Sequence, residues 1–313
     1  DVDSPNLYSV KCRLTDRGTG ETVDCEEAAF GIRKLQLDSK YGLRINGRVV
    51  KLKGGCVHHD NAFLGAVSVE DAEVRRVRLH KSMGYNAIRT AHNPPSTALL
   101  NACDRLGLLV MDEFTDIWTE GKTAYDYSEY FPECFEEDVE RVVRRDYNHP
   151  SIILWSIGNE IPDTGNPIGT QWGRKLVEAF KRLDPTRFVT NGLNVMLSAS
   201  SCIREIIRQQ KETMAADGVN DIIGASNMMD LITGSPLIDP YVEESCDILD
   251  VIGYNYANAR YEREHPLHPE WIFFGSETFS GALDTNWDTV MRNPYVIGDF
   301  CWTFLLYTSD AAD

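Results

Sequence analysis

No apolar run in these 313 residues approaches the ~20 that a membrane-spanning helix needs, so the chain has no membrane span of its own. Positive charge is also scarce. The 31 lysines and arginines stand against 48 acidic residues, for a net charge of −17, and the basic residues are scattered instead of forming a stripe. Such a surface repels phosphate backbones, which excludes nucleic acid as a partner and suits a neutral ligand. The eight cysteines contain no C-x-x-C pair and are not clustered with histidine at zinc spacing. They read as reduced, mostly buried thiols, which favours a cytoplasmic location. An even number in a secreted protein would look the same, so disulfides stay open. No signal peptide is visible, and the chain opens at Asp1 in what reads as mid-domain sequence.

A hydrophobic share of 42% with 25% charged residues belongs to a globular domain with a packed core. Residues 7 to 14 (LYSVKCRL) alternate with the strand period, Thr15 to Thr22 turns, and Gly31-Ile32-Arg33 leads into a further extended run. One hairpin does not fold alone, so residues 1–32 are expected to be the last strands of a β-sandwich domain. From Tyr41 the pattern changes to short apolar strands alternating with helical stretches, as parallel βα units require.

Strands are expected at Val50–Gly55, Ala87–Arg89, Leu108–Met111, Ile152–Ile157, Phe188–Thr190, Ile248–Tyr254, Ile272–Ser276 and Val296–Trp302. Helices are expected at Val69–Met83, Thr97–Leu106, Phe135–Arg145, Thr170–Leu183, Ile203–Ala216 and Trp287–Arg292. Eight strands close a (β/α)8 TIM barrel, assigned here to residues 33–313. The alternative is an open doubly wound sheet. That fold normally carries a glycine-rich phosphate loop after its first strand, and Gly54-Gly55-Cys56-Val57-His58-His59 is not one. The eighth helix is absent and Tyr307 to Asp313 carries no pattern, so the chain reads as truncated at both ends, with a closing stretch that looks non-native.

Active sites of such barrels lie at the carboxyl ends of the strands. The residues found there are His58, His59 and Asp60 after strand one; Arg89 and His92 after two; Asp112 and Glu113 after three; Asn159 and Glu160 after four; Asn255 and Tyr256 after six; Glu277 after seven; and Asp299 and Trp302 in eight. Glu160 and Glu277 both close buried apolar strands. Cleaving a glycosidic bond needs one carboxyl to protonate the leaving oxygen and a second to meet the anomeric carbon. For either glutamate alone, a solvated or helix-capping carboxylate is the simpler explanation; their matched placement favours the pair. A competing reading takes His58, His92 and Asp112 as metal ligands, although no helical His-x-x-x-His pair supports it.

Several stretches together resemble glycoside hydrolase family 2, which contains β-galactosidases, β-glucuronidases and β-mannosidases. They are Asn46-Gly47 with Lys53-Gly54-Gly55 and His58-His59; Met83 to Pro95 (MGYNAIRTAHNPP); Cys103 to Glu113; Asn148 to Glu160 (NHPSIILWSIGNE); and Gly275-Ser-Glu-Thr278. The resemblance runs from about Gly31 to Trp302, and it implies that residues 1–32 are the last strands of an immunoglobulin-like β-sandwich domain that precedes the barrel. It implies a retaining exo-β-glycosidase, with Glu160 as acid/base, Glu277 as nucleophile and Asn159 gripping a sugar hydroxyl. Retention implies a carboxyl separation of about 5 to 5.5 Å.

By the same resemblance Arg89 is expected to lie beside Glu277 and keep it ionised, and Tyr256 to hydrogen-bond it. His92, Asn255, Trp302 and one of His58 and His59 are expected to line the sugar site. Trp118 could serve as a further platform or simply pack. A structural arginine elsewhere, a loop-ordering His92 and a merely packing Tyr256 stay open as alternatives. Some members hold magnesium through a Glu-x-His after strand three. The corresponding stretch here reads Phe114-Thr-Asp-Ile-Trp118, so neither a metal nor a cofactor is carried over. Tyr254-Asn-Tyr, Gly275-Ser-Glu-Thr and Val296-Ile-Gly-Asp-Phe look most like the β-galactosidase branch, with glucuronide and mannoside as the alternatives. The rivals from other classes are a non-catalytic carbohydrate-binding barrel and a metal-dependent hydrolase. Homo-oligomerisation through missing domains is the remaining partner expectation.

Overall fold

The computed structural model describes residues 2–208 and 225–303. Eight parallel strands form a closed barrel: β6 (Leu52–Val57), β7 (Ala87–Thr90), β8 (Leu109–Glu113), β9 (Ile152–Asn159), β10 (Phe188–Leu193), β11 (Ile252–Asn255), β12 (Phe273–Phe279) and β13 (Val296–Trp302). They follow one another around the ring in chain order, and β13 closes on β6 through Gly298↔Leu52 to Cys301↔Gly55. This is the expected TIM barrel, with each strand found within a few residues of its expected place.

Two small sheets precede it. The hairpin β1 (Tyr8–Thr15) with β2 (Thr22–Phe30) is exposed along almost its whole length. A three-stranded antiparallel sheet, β3 (Leu35–Asp38), β4 (Gly42–Ile45) and β5 (Arg48–Val49), was foreshadowed only as an extended run. Leu43 and Ile45 of β4 are buried against Leu52, Leu109, Ile153, Ile272 and Ile297, so this sheet covers the amino-terminal end of the barrel. Each such side chain taken from water contributes roughly 1.5–3 kcal/mol.

Two larger apolar layers lie between barrel and helices. Leu99, Phe131, Phe135, Trp155, Leu176 and Phe180 pack outside β7 to β9; Val242, Cys246, Tyr261, Trp271 and Val290 pack outside β10 to β13. The helices follow local signals. Thr97–Leu106 is capped by Ser96, whose Oγ accepts from the Leu99 amide, and ends at Gly107 with φ 75°. Helix Phe131–Asp146 starts four residues earlier than expected, with Pro132 in its first turn. Further helices at Ala225–Thr233, Asp239–Asp247 and Arg260–Glu264 were not anticipated. Of the expected helix Ile203–Ala216, only the stretch to Arg208 falls within the described residues; Tyr307–Asp313 lies outside them.

The barrel interior is tight enough to dictate residue size. A Cβ on Gly54 would stand about 2 Å from the Phe300 ring, and the rings of Phe274 and Phe300 meet edge to face at 5.7 Å. All eight cysteines are free. Four are buried and two half-buried, but Cys12 and Cys25 of the hairpin are exposed, so the thiols are less buried than composition suggested. Among the described residues no helix is long and apolar enough to cross a membrane.

Candidate active site

The site grows from the carboxyl ends of β7, β8, β9, β11 and β12, where alternation turns one side chain of each strand inward. Arg89 on β7 is its centre and is fully buried. Its Nε and Nη2 donate to Glu113 at 2.9 and 3.0 Å, Nη1 donates to Glu277 Oε1 at 2.7 Å, and Nη2 also donates to Asn159 Oδ1 at 2.6 Å. The guanidinium fork thus joins three strands. Gly192 on β10 makes room for it, since a Cβ there would stand 2.8 Å from Arg89 Nη2.

Glu113 was noted in the sequence without a role. It is fully buried and also accepts from Ser156 Oγ at 2.7 Å and from His92 Nδ1 at 2.7 Å. That contact puts the imidazole proton on Nδ1, leaving Nε2 toward Asn159 Nδ2 at 3.4 Å and Glu277 Oε1 at 3.8 Å. Burial raises the Glu113 pKa, but Arg89, His92 and Ser156 outweigh it and the net direction is downward. Burial likewise weakens the Arg89 charge, and Glu113 and Glu277 more than restore it.

Glu277 is 3% exposed. Tyr256 donates its hydroxyl to Oε2 at 2.8 Å, opposite the Arg89 contact. Arg89 lowers the pKa of this carboxyl, but it does not outweigh burial. Burial raises its pKa and Glu160 adds to the rise, against lowering by Arg89, His92 and Tyr256, and the net direction is upward. Arg89 divides its charge between two carboxylates, so it offsets only part of the desolvation.

Glu160 stands in a different environment. It directly follows β9 in a left-handed conformation, φ 47°, with its amide donating to Gly192 O at 2.8 Å. Its Oε1 accepts from the amides of Asn194 at 2.8 Å and Asn255 at 3.0 Å. Asn255 also donates to Asn159 Oδ1 at 2.9 Å and accepts from Ser276 Oγ at 2.7 Å. Tyr256 is left-handed too, φ 57°. Backbone in this region costs a non-glycine residue of order 1–3 kcal/mol, and such residues cluster at functional sites.

Trp302 stacks on His92, with ring centroids 5.2 Å apart and planes 12° apart, and meets His58 edge-on at 5.0 Å. His58 is therefore the ring of its pair that faces the cluster, while His59 is exposed. Arg89, His92, Asn159, Glu160, Asn255, Tyr256 and Glu277 come together as one network, with His58 and Trp302 at its edge. Trp118 does not join it: it is buried outside β9, its Nε1 donating to Ile157 O. Asp299 faces Gly275 and Thr278 instead. Asp112 points to the helix layer, where burial and the neighbouring Asp146 raise its pKa. It is therefore separated from His58 and His92, and among the described residues no three His, Cys, Asp or Glu side chains stand where they could hold a metal ion.

Ser156, Ser276 and Asn194 are members missed by sequence reasoning, and Glu113 is one it noted without assigning a role. Ser276 sits inside the quoted Gly-Ser-Glu stretch, and Glu113 ends strand three, so position marked both; nothing local marks Asn194. Chemically, the site offers one carboxyl buried against a cation and a phenol and a second, half-buried one held by two amides.

Residues 38–228 match the family described as glycosyl hydrolases family 2, TIM barrel domain. The β-galactosidase BoGH2A of Bacteroides ovatus is 36% identical over 295 residues, covering 90% of this chain and 32% of its own. A putative β-glucuronidase of Formosa agariphila is 29% identical, covering 99% and 30%. A solved glycosyl hydrolase family 2 member from Bacteroides cellulosilyticus superposes with a TM-score of 0.79 at 39% identity, covering 96% and 33%. The chain spans about a third of the length of each of these three relatives.

Proposed function

The chain belongs to glycoside hydrolase family 2, and from that premise we propose that it is the catalytic barrel of a retaining exo-β-glycosidase acting on terminal β-galactosides. Glu277 is the nucleophile and Glu160 the acid/base. The observation that carries this reading is the unlike surroundings of the two carboxyls. Arg89 and Tyr256 bind one oxygen each of Glu277, which stabilises the anion that attacks the anomeric carbon. Glu160 stands half-buried just after β9 with the amides of Asn194 and Asn255 donating to Oε1, placed to serve the leaving oxygen and then the attacking water.

The rest of the network has consistent roles. Asn159, fixed through Oδ1 by Arg89 and Asn255, presents its amide to a sugar hydroxyl. His92, held through Nδ1 by Glu113, turns Nε2 toward Asn159 and Glu277. Trp302 supplies an apolar ring for the pyranose face. Galactoside is favoured by the similarity to BoGH2A; the similarity to the putative glucuronidase keeps a β-glucuronide as the second reading. Residues 1–32 are proposed to belong to a β-sandwich domain, because a hairpin exposed on both faces needs further strands to bury its apolar side chains.

The test uses the intact protein that carries this chain. Turnover of 4-nitrophenyl β-D-galactoside, β-D-glucuronide and β-D-mannoside is measured, with the anomer first released followed by proton NMR. Preferred turnover of the galactoside with release of the β-anomer supports the proposal. Release of the α-anomer overturns retention, and preference for the glucuronide overturns the sugar assignment.

A further inference from the structure

In β12, Phe273 to Thr278 are buried and only the last residue, Phe279, emerges, 53% exposed. Its ring stacks on Tyr256 with centroids 4.3 Å apart and planes inclined by 27°. Tyr256 donates to Glu277 two residues back along the strand. A common contact with one tyrosine puts Glu277 and Phe279 on the same side of β12. Two strand residues rise roughly 7 Å. Phe279 is also the register partner of Trp302 on β13, so the two aromatic residues end adjacent strands at the same level.

Resting on the exo-glycosidase reading above, we propose that Phe279 is the platform for the leaving group: its exposed ring binds an aglycone that presents a flat apolar face beside the scissile oxygen, either a second pyranose or an aryl group. The geometry gives the reason. Glu277, at 3% exposure, marks the depth at which the anomeric carbon must sit. Whatever is attached to that carbon leaves toward solvent, and the next level outward on the same strand is Phe279. An aromatic face there stacks against ring C–H groups, whereas an alkyl or hydroxyl aglycone without a ring gains little from it. The Tyr256 stack holds the ring from behind, so it is oriented before a ligand arrives.

The experiment traps the intact protein as a 2-deoxy-2-fluorogalactosyl enzyme and measures reactivation by methanol, methyl β-D-glucopyranoside and benzyl alcohol. Acceptors occupy the place the leaving group has vacated, and dividing each ring-bearing rate by the methanol rate cancels any general disturbance of Tyr256 or Glu277. The wild-type ratio is expected to fall roughly three- to tenfold in Phe279→Ala, the size of one aromatic stack, and to survive in Phe279→Trp. A loss with the glucoside alone identifies a sugar aglycone, and a loss with benzyl alcohol alone identifies an aryl one. Equal ratios in wild type and Phe279→Ala overturn the platform while leaving the glycosidase reading intact. Failure of the wild-type protein to form the trapped species, visible by mass before any acceptor is added, overturns both.

Discussion

Glu113 and Glu277 are bridged by a single buried guanidinium: Arg89 donates Nε and Nη2 to the first and Nη1 to the second. Replacing Arg89 with Met leaves two buried carboxyls facing each other without a cation, and breaking a buried pair typically costs about 3–5 kcal/mol. Denaturant unfolding of Arg89→Met at neutral pH should record a loss of that order. Since one of the two acids must then take up a proton, the loss should shrink on acidification. A variant as stable as wild type at neutral pH would show that the bridge does not hold the barrel mouth together.

Tyr256→Phe removes the hydroxyl donor to Glu277 but keeps the ring that stacks on Phe279. A hydrogen bond to a charged group contributes about 1.5–3 kcal/mol, so kcat/KM should fall roughly ten- to a hundredfold. The Glu277 pKa is already raised by burial, and Tyr256 is one of the groups opposing that rise. Losing it should move the acid limb of the kcat/KM profile to higher pH. A fall in rate with an unmoved acid limb would separate Tyr256 from the ionisation of Glu277.

The Glu160→Ala variant separates chemistry from packing through its choice of substrate. Glycosides with poor leaving groups should lose most of their turnover, while activated aryl glycosides should suffer far less in the glycosylation step, because a good leaving group needs little protonation. Equal losses for both classes in that step would mark Glu160 as structural.

Asp299 gives a pH dependence of stability that is independent of the active site. Buried between β12 and β13 with Thr278 as donor, its carboxyl is pushed up to about 7 by desolvation. Unfolded, it titrates near the ordinary value of roughly 4. Between those two values the unfolded chain has released a proton that the folded chain keeps, so stability falls as pH rises, by up to roughly 1.4 kcal/mol per pH unit, and levels off above about 7. Asp299→Asn should remove this component and raise Tm at pH 7. An unchanged slope between pH 4 and 7 in the variant would contradict the assignment.

The barrel was legible because its strands are short apolar runs separated by amphipathic helices, a pattern that local chemistry alone produces. Less visible were features that depend on distant partners. Leu43 and Ile45 bury against the barrel floor only once the barrel exists, so β3 to β5 left little more than an extended run. The connection between β10 and β11 carries helices at Ala225–Thr233 and Asp239–Asp247, where periodicity drew attention to the stretch before them. In the site, Asp112 and Glu113 are neighbours in sequence, yet the strand alternation sends one to the helix layer and the other to Arg89. The net direction of the Glu277 pKa was not legible for a related reason: burial is visible only in the fold, and the arginine beside this carboxylate also serves Glu113.

The division of roles between Glu160 and Glu277 is tested most directly by locating the covalent intermediate. A 2-deoxy-2-fluorogalactosyl fluoride should form a long-lived ester on the intact protein, because fluorine destabilises the oxocarbenium-like transition states while the good leaving group lets the first step outrun the second. Peptide mapping by mass spectrometry should find the label on Glu277. Label on Glu113, Glu160 or any other acid would contradict the role assignment.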